Sequence, residues 1–190
     1  MKTFKIVLFL CVAALFFGCK SEKKEQKDFV IESPKTQAEI SIAQGGQWQD
    51  DDKGHQEYVN GTSFKNVSHF KVPEQHTDHT WYIRYEGPGW ESNKIGYRLY
   101  LDWRNAIDIF GKTTENLVLS KVGQDGFDSY HNPQSWGQDI LKVGNSLGIG
   151  AIGRLVDNKV LHFREVDSTL VSVENTIKNS DVSIQYHGWK

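Results

Sequence analysis

Residues 94–103, KIGYRLYLDW, decide the fold class of this chain. Ile95, Tyr97, Leu99, Leu101 and Trp103 alternate there with Lys94, Gly96, Arg98, Tyr100 and Asp102. Successive side chains of a strand point to opposite faces, so this period of two puts an apolar set on one face and a polar set on the other. A helix would need apolar residues three and four apart instead. Working outward, residues 80–86 (TWYIRYE), 117–122, 139–143, 160–165, 169–173 and 182–186 read as further short strands. Asp157-Asn158 and Asn60-Gly61 are turn signals between such runs. Nowhere do ten residues carry a convincing amphipathic helical pattern. The expectation is an all-β antiparallel β-sandwich.

At 190 residues the chain fits one domain. Its 22 Lys and Arg against 24 Asp and Glu give a formal charge of −2, which excludes the basic surface that nucleic-acid binding requires. Aromatic residues make up 12% of the chain, with 6 Trp, and suit strands, cores and flat surfaces for amphipathic ligands.

The first residues read as an address. Lys2 and Lys5 precede an unbroken apolar run over residues 6–17, shorter than the roughly 20 residues of a membrane span but matching a secretory signal. Leu15-Phe16-Phe17-Gly18-Cys19 closes it and resembles a bacterial lipoprotein box, which implies removal of residues 1–18 and lipid on Cys19. The protein is then expected on the outer membrane, facing periplasm or cell surface. Cys11 lies in the removed segment, so no disulfide is available and the core must hold the domain. Residues 19–30 read as a charged tether and 31–190 as the folded domain. Residues 182–189 (VSIQYHGW) read as a strand one residue from the end, and the chain is expected to be the N-terminal part of a longer protein.

Three clusters carry candidate chemistry. Arg98, Tyr100 and Asp102 alternate onto one strand face, with Arg104, Asp108 and Lys112 following and Trp90-Glu91 before them. Arg can fork onto a carboxylate with two N–H bonds, but a solvent-facing row of cross-strand ion pairs is the commoner use of such a pattern. The loop over residues 123–136 centres on Tyr130-His131, either an acid–base pair or a His that caps the turn before Asn132-Pro133. Residues 139–153 are glycine-rich without matching a phosphate-binding loop, and Lys142 stands between Leu141 and Val143 facing away from them. His76-Thr77-Asp78-His79 is a weaker metal candidate, since an extended chain brings only His76 and Asp78 to one face while zinc takes three or four ligands. No metal and no cofactor is assigned.

Taken in order, Trp90-Glu91, residues 95–100 (IGYRLY), residues 107–112 (IDIFGK), Tyr130-His131, Gly137, Asp139 and residues 142–150 (KVGNSLGIG) resemble the domain-of-unknown-function family DUF4861, over residues 72–190. The resemblance implies a secreted or lipid-anchored protein beside polysaccharide-degrading enzymes, with a β-sandwich of the sugar-processing, galactose-mutarotase-like type. It also implies kinship with dehydratases of ulvan oligosaccharides and a full domain about twice this length. Asp102-Trp103-Arg104 departs from the family, where a small Gly-Pro turn is common.

On this footing the expected activity is elimination of water from a uronic acid at the end of an oligosaccharide. Arg98 or Arg104 would neutralise the substrate carboxylate, Tyr130 and His131 would move the protons, and Lys142 would be a reserve base if burial lowered its pKa. Trp103 and Trp136 would stack on sugar faces, with Trp90, Glu91, Tyr100, Asp108 and Asp139 as further substrate contacts. The competing expectations are a sugar-binding module without chemistry and a glycoside hydrolase using Glu91 with Asp108 or Asp139.

Overall fold

In the computed structural model, which describes residues 34–52, 54–124, 129–162 and 166–188, the alternating run forms a strand at the centre of a sheet. The signal segment 1–18, Cys19 and the tether 19–30 lie outside the described residues. In chain order the strands are β1 (Thr36–Glu39), β2 (Ser41–Gln44), β3 (Gln47–Asp50), β4 (Gln56–Val59), β5 (Ser63–Asn66), β6 (His69–Lys71) and β7 (Gly89–Ser92). They continue with β8 (Ile95–Leu99), β9 (Ile107–Lys112), β10 (Gly137–Asp139), β11 (Arg154–Val156), β12 (Lys159–Leu161), β13 (Ser168–Asn175) and β14 (Ser180–His187). Three single 3-10 turns interrupt them, at Arg84–Glu86, Leu119–Lys121 and Ser129–His131, and no α-helix occurs among the described residues.

The main sheet has the order β1-β7-β8-β9-β10, and a second has the order β14-β13-β6, with every ladder antiparallel. Ala38, Ile40, Ile42, Ile83, Leu99 and Leu101 from the first sheet and its flanks pack on Val171 and Val173 of the second. This shared core makes the fold an all-β sandwich, and burial of these side chains is its main stabilising term. The other face of the main sheet is polar at its centre. Residues 113–124 and 129–136 cover it through Val118, Leu119, Val122, Tyr130 and Trp136, which gather around Tyr85 and Phe110. Glu91 fastens this cover: its Oε1 accepts the backbone N–H groups of Val118 at 2.6 Å and Leu119 at 2.8 Å.

Several expected strands are shorter or absent, each for a local reason. Residues 80–86 contribute one bridge, Ile83 to Ile42, because Trp81, Tyr85 and Glu86 sit at φ of 60°, 41° and 66° and break the extended run. Residues 117–122 form a 3-10 turn instead of a strand. β8 stops at Leu99: the Asp102 carboxylate accepts the Arg104 N–H at 2.8 Å, Asn105 takes φ 43°, and Trp103 falls in the reversal. β10 stops at Asp139, whose carboxylate accepts the Leu141 N–H at 3.1 Å. Asp157 and Asn158, at φ 49° and 59°, form the expected tight turn between β11 and β12. β14 pairs with β13 along its whole length, from Ser168↔His187 to Asn175↔Ser180.

Candidate functional site

Alternation along β8 turns Arg98 toward the covered face, and register sets it directly opposite Asp108 of β9. The residue is 0% exposed. Its Nη2 donates to Asp108 Oδ2 and Asp139 Oδ2 at 3.0 Å each and to the Tyr100 hydroxyl. Its Nη1 donates to the Tyr130 hydroxyl at 2.6 Å and to the Tyr85 carbonyl at 3.3 Å. The Tyr100 hydroxyl in turn donates to Asp108 Oδ2 at 2.9 Å. Arg104 continues the cluster. It pairs with Asp102, reaches Glu86 Oε1 at 3.2 Å, and lies 3.9 Å above the Tyr100 ring.

Two guanidinium groups thus face four carboxyls: Asp108, Asp139, Asp102 and Glu86. Removed from water, such an excess of negative charge is relieved by retaining a proton. Burial pushes the Asp139 carboxyl up to about 7; Arg98 pulls against that shift and the Asp108 carboxylate adds to it. Burial also raises the Tyr130 phenol, which stays protonated as it accepts from Arg98.

The cluster reaches solvent through His131. Its side chain is 40% exposed, and Nδ1 lies 3.1 Å from Oδ2 of Asp139, which is 1% exposed. The 3-10 turn Ser129–His131 places it, with Tyr130 as the buried anchor and the two rings 4.7 Å apart. A solvent-facing imidazole backed by a buried carboxyl of raised pKa is a proton-transfer arrangement.

The model of the family described as Domain of unknown function (DUF4861) matches residues 13–190. The chain belongs to that family. Comparison with curated proteins and with solved structures finds no match.

In this DUF4861 chain the expected site residues separate into two groups. Arg98, Tyr100, Asp108, Tyr130, His131 and Asp139 come together, with Arg104 adjoining. Arg98, expected to meet the substrate carboxylate, is buried, and its Nη1 and Nη2 donate to protein acceptors that it ties into one cluster. The charge row is a set of cross-strand pairs, but a buried one. Glu91 forms a separate buried ion pair with Lys112 and holds the cover segment. Trp90 stacks on Tyr97 at 5.7 Å on the opposite, apolar face. Trp136 packs edge-on against Phe110, and Trp103 stands at the β8–β9 reversal against His162. Lys142 is exposed, so the burial that would have made it a base is absent.

At the weaker metal candidate, His76 is buried and bonded to Thr80 at 2.8 Å, while His79 is exposed beside Asp78. Among the described residues no three His, Cys, Asp or Glu side chains converge where a metal could sit. Sequence reasoning missed Glu86 and the buried pair Arg84–Glu39, because residues 80–86 read as a strand. The signal was Arg84 and Glu86 flanking Tyr85 inside an aromatic run.

The site carries a pH signature. Asp139 holds its proton more tightly folded than unfolded, so its contribution is full below 3.8 and lost as pH rises to about 7. His76 acts in the opposite sense: burial lowers its imidazole from 6.5 to about 4, so the unfolded chain protonates first and stability falls as pH drops through that range. Asp139→Asn removes the first slope and leaves the second. Its unfolding free energy from urea melts is expected to fall between pH 6.5 and 4, by up to roughly 3 kcal/mol, more steeply than in the parent chain. Equal slopes in the two proteins would show that Asp139 titrates as an ordinary carboxyl.

Proposed function

We propose that this chain is a carbon–oxygen lyase of polysaccharide utilisation that eliminates water from a uronic acid at the end of an oligosaccharide, with His131 moving the proton. The observation that carries this is the 3.1 Å contact between the exposed His131 imidazole and the buried Asp139 carboxyl. His131 takes the proton from the carbon beside the substrate carboxylate, through the ring nitrogen remote from Asp139. The C–O bond on the neighbouring carbon breaks as the proton that His131 took passes to the departing hydroxyl, which leaves as water, and the electron pair of the broken C–H bond closes a carbon–carbon double bond. Asp139 is a positioning residue that fixes the imidazole and, in its ionised form, stabilises the imidazolium. Lys142, exposed and three residues beyond Asp139, takes the charge-neutralising role expected of Arg98 or Arg104. Anchoring through lipid on Cys19, on the outer membrane, belongs to the same proposal.

Glycoside hydrolysis is less well supported. It needs two carboxyls with a sugar between them. Asp108 and Asp139 share one nitrogen of Arg98 and are buried, and Glu91 is tied to Lys112 and two backbone N–H groups. The test is incubation with uronic-acid-terminated oligosaccharides. Far-ultraviolet absorbance from a conjugated double bond should grow with no new reducing ends. New reducing ends without that absorbance would identify a hydrolase, and neither signal would leave a module without chemistry.

A further inference from the structure

A second feature lies away from the charged cluster. Trp81 is 37% exposed and sits at φ 60°, a left-handed conformation that a bulky side chain rarely adopts. The neighbouring strands impose it. The carbonyl of Thr80 accepts the N–H of Tyr58 in β4 at 2.8 Å, and the carbonyl of Tyr82 accepts the N–H of Ala43 in β2 at 2.9 Å. Residue 81 is therefore the link between two hairpins that are both fixed, and strain held by surrounding structure tends to occur where a side chain is being aimed.

Trp81 lines a cavity of about 570 Å³, within the roughly 300–1,000 Å³ of small-ligand sites. Around it stand Glu57, Asn60, Thr62, Ser63 and Gln124. The walls are stiff at the base: a Cβ on Gly46 would lie 2.4 Å from the Val59 carbonyl oxygen and 2.6 Å from the Tyr58 ring, so the β3–β4 hairpin closes tightly there.

From these groups we infer that the Trp81 cavity is a binding subsite for a neutral sugar residue. An indole offers a flat apolar face to the C–H groups of a pyranose, while amide and hydroxyl side chains match its hydroxyls. Among the described residues lining the cavity, Glu57 is the one that is charged. A uronate there would meet a negative charge with no cation among those residues to offset it, so the site selects an uncharged ring. The inference rests on the carbohydrate part of the function proposed above.

The test is saturation-transfer NMR on the chain with maltohexaose, mannohexaose, xylohexaose and rhamnose, against trigalacturonic acid and a chitosan hexamer. Transfer to ring C–H protons of at least one neutral sugar is expected, with affinity falling tenfold or more in Trp81→Ala and staying within about threefold in Trp81→Phe. Gln124→Ala, an exposed substitution that removes one side-chain bond to the Ser120 carbonyl, should weaken the same ligand and keeps the test open if Trp81→Ala misfolds. Binding of only the uronate or only the chitosan, binding indifferent to both Trp81 and Gln124, or no binding at millimolar sugar would each overturn it. His131→Ala should retain the neutral-sugar signal. Neutral-sugar binding without any turnover in the parent chain would overturn the proposed activity alone, and turnover without neutral-sugar binding would overturn the subsite alone.

Discussion

His131→Ala is expected to cut turnover on a uronic-acid-terminated oligosaccharide by roughly 10²-fold or more, with KM largely kept, because proton-transfer groups act mainly in the transition state. The structure makes the accompanying stability change small. The imidazole is 40% exposed, and its removal leaves the Asp139 carboxyl with the Arg98 bond at 3.0 Å and the Leu141 N–H at 3.1 Å. A loss of about 1 kcal/mol or less is expected by urea unfolding. A turn-capping histidine would give the reverse pattern, with stability lowered and turnover per folded molecule intact. Asp139→Asn should lower turnover less and flatten the pH profile near 7, since it alters the imidazole's partner and leaves the imidazole itself.

Arg98→Leu should be the most destabilising single change in the described part of the chain. It strands Asp108 and Asp139, which are 0% and 1% exposed, along with two tyrosine hydroxyls. Breaking a buried pair by removing one partner costs roughly 3–5 kcal/mol, a large part of the 5–15 kcal/mol that holds a domain together. Arg98→Lys keeps the charge but cannot fork to two carboxyls and two phenols, so an intermediate loss is expected. The orphaned carboxyls would take up protons, so the deficit in Arg98→Leu should shrink as pH falls below 7. Urea midpoints at pH 7 and pH 5 check both points. A variant as stable as the parent at neutral pH would mean the cluster contributes nothing net to folding.

Between these two residues lies the contrast of the site. Arg98 is fully buried at the centre of the hydrogen-bond network, whereas the His131 side chain is 40% exposed. A proton-transfer role of the kind proposed is served when the exposed group is fixed by a buried one whose own position is over-determined. Here the chain of support runs from Asp108 through Arg98 to Asp139 and Tyr130, and from both of these to His131.

How far this could be read without coordinates differs from residue to residue. Alternation over residues 95–99 depends only on the strand period, so β8, its apolar face and the all-β class follow from it directly. The turn at Asp157-Asn158 is equally local, because those residue types accept positive φ cheaply. Local preference misled at residues 80–86 and 117–122, where β-forming residues were bent into 3-10 turns by contacts from elsewhere. The carbonyls of Thr80 and Tyr82 are held by β4 and β2, and the Val118 and Leu119 N–H groups by Glu91.

The sequence by itself determined which residues share a face: Arg98 with Tyr100, and the apolar set with Leu99. Only the tertiary structure decided that this polar face is buried. Alternation reports two faces and is silent on what covers them, and the cover lies 20 to 40 residues further along the chain, held by Glu91, Arg84 and Arg98 and by its own apolar packing. Once docked, it removes water from the cluster, turns Arg98 from a candidate ligand-binder into an internal counter-ion, and raises Asp139 beneath the one histidine that the same segment presents to solvent. Charge in a strand carries no mark of its surroundings; the dielectric that gives it a role is supplied by whatever packs on top.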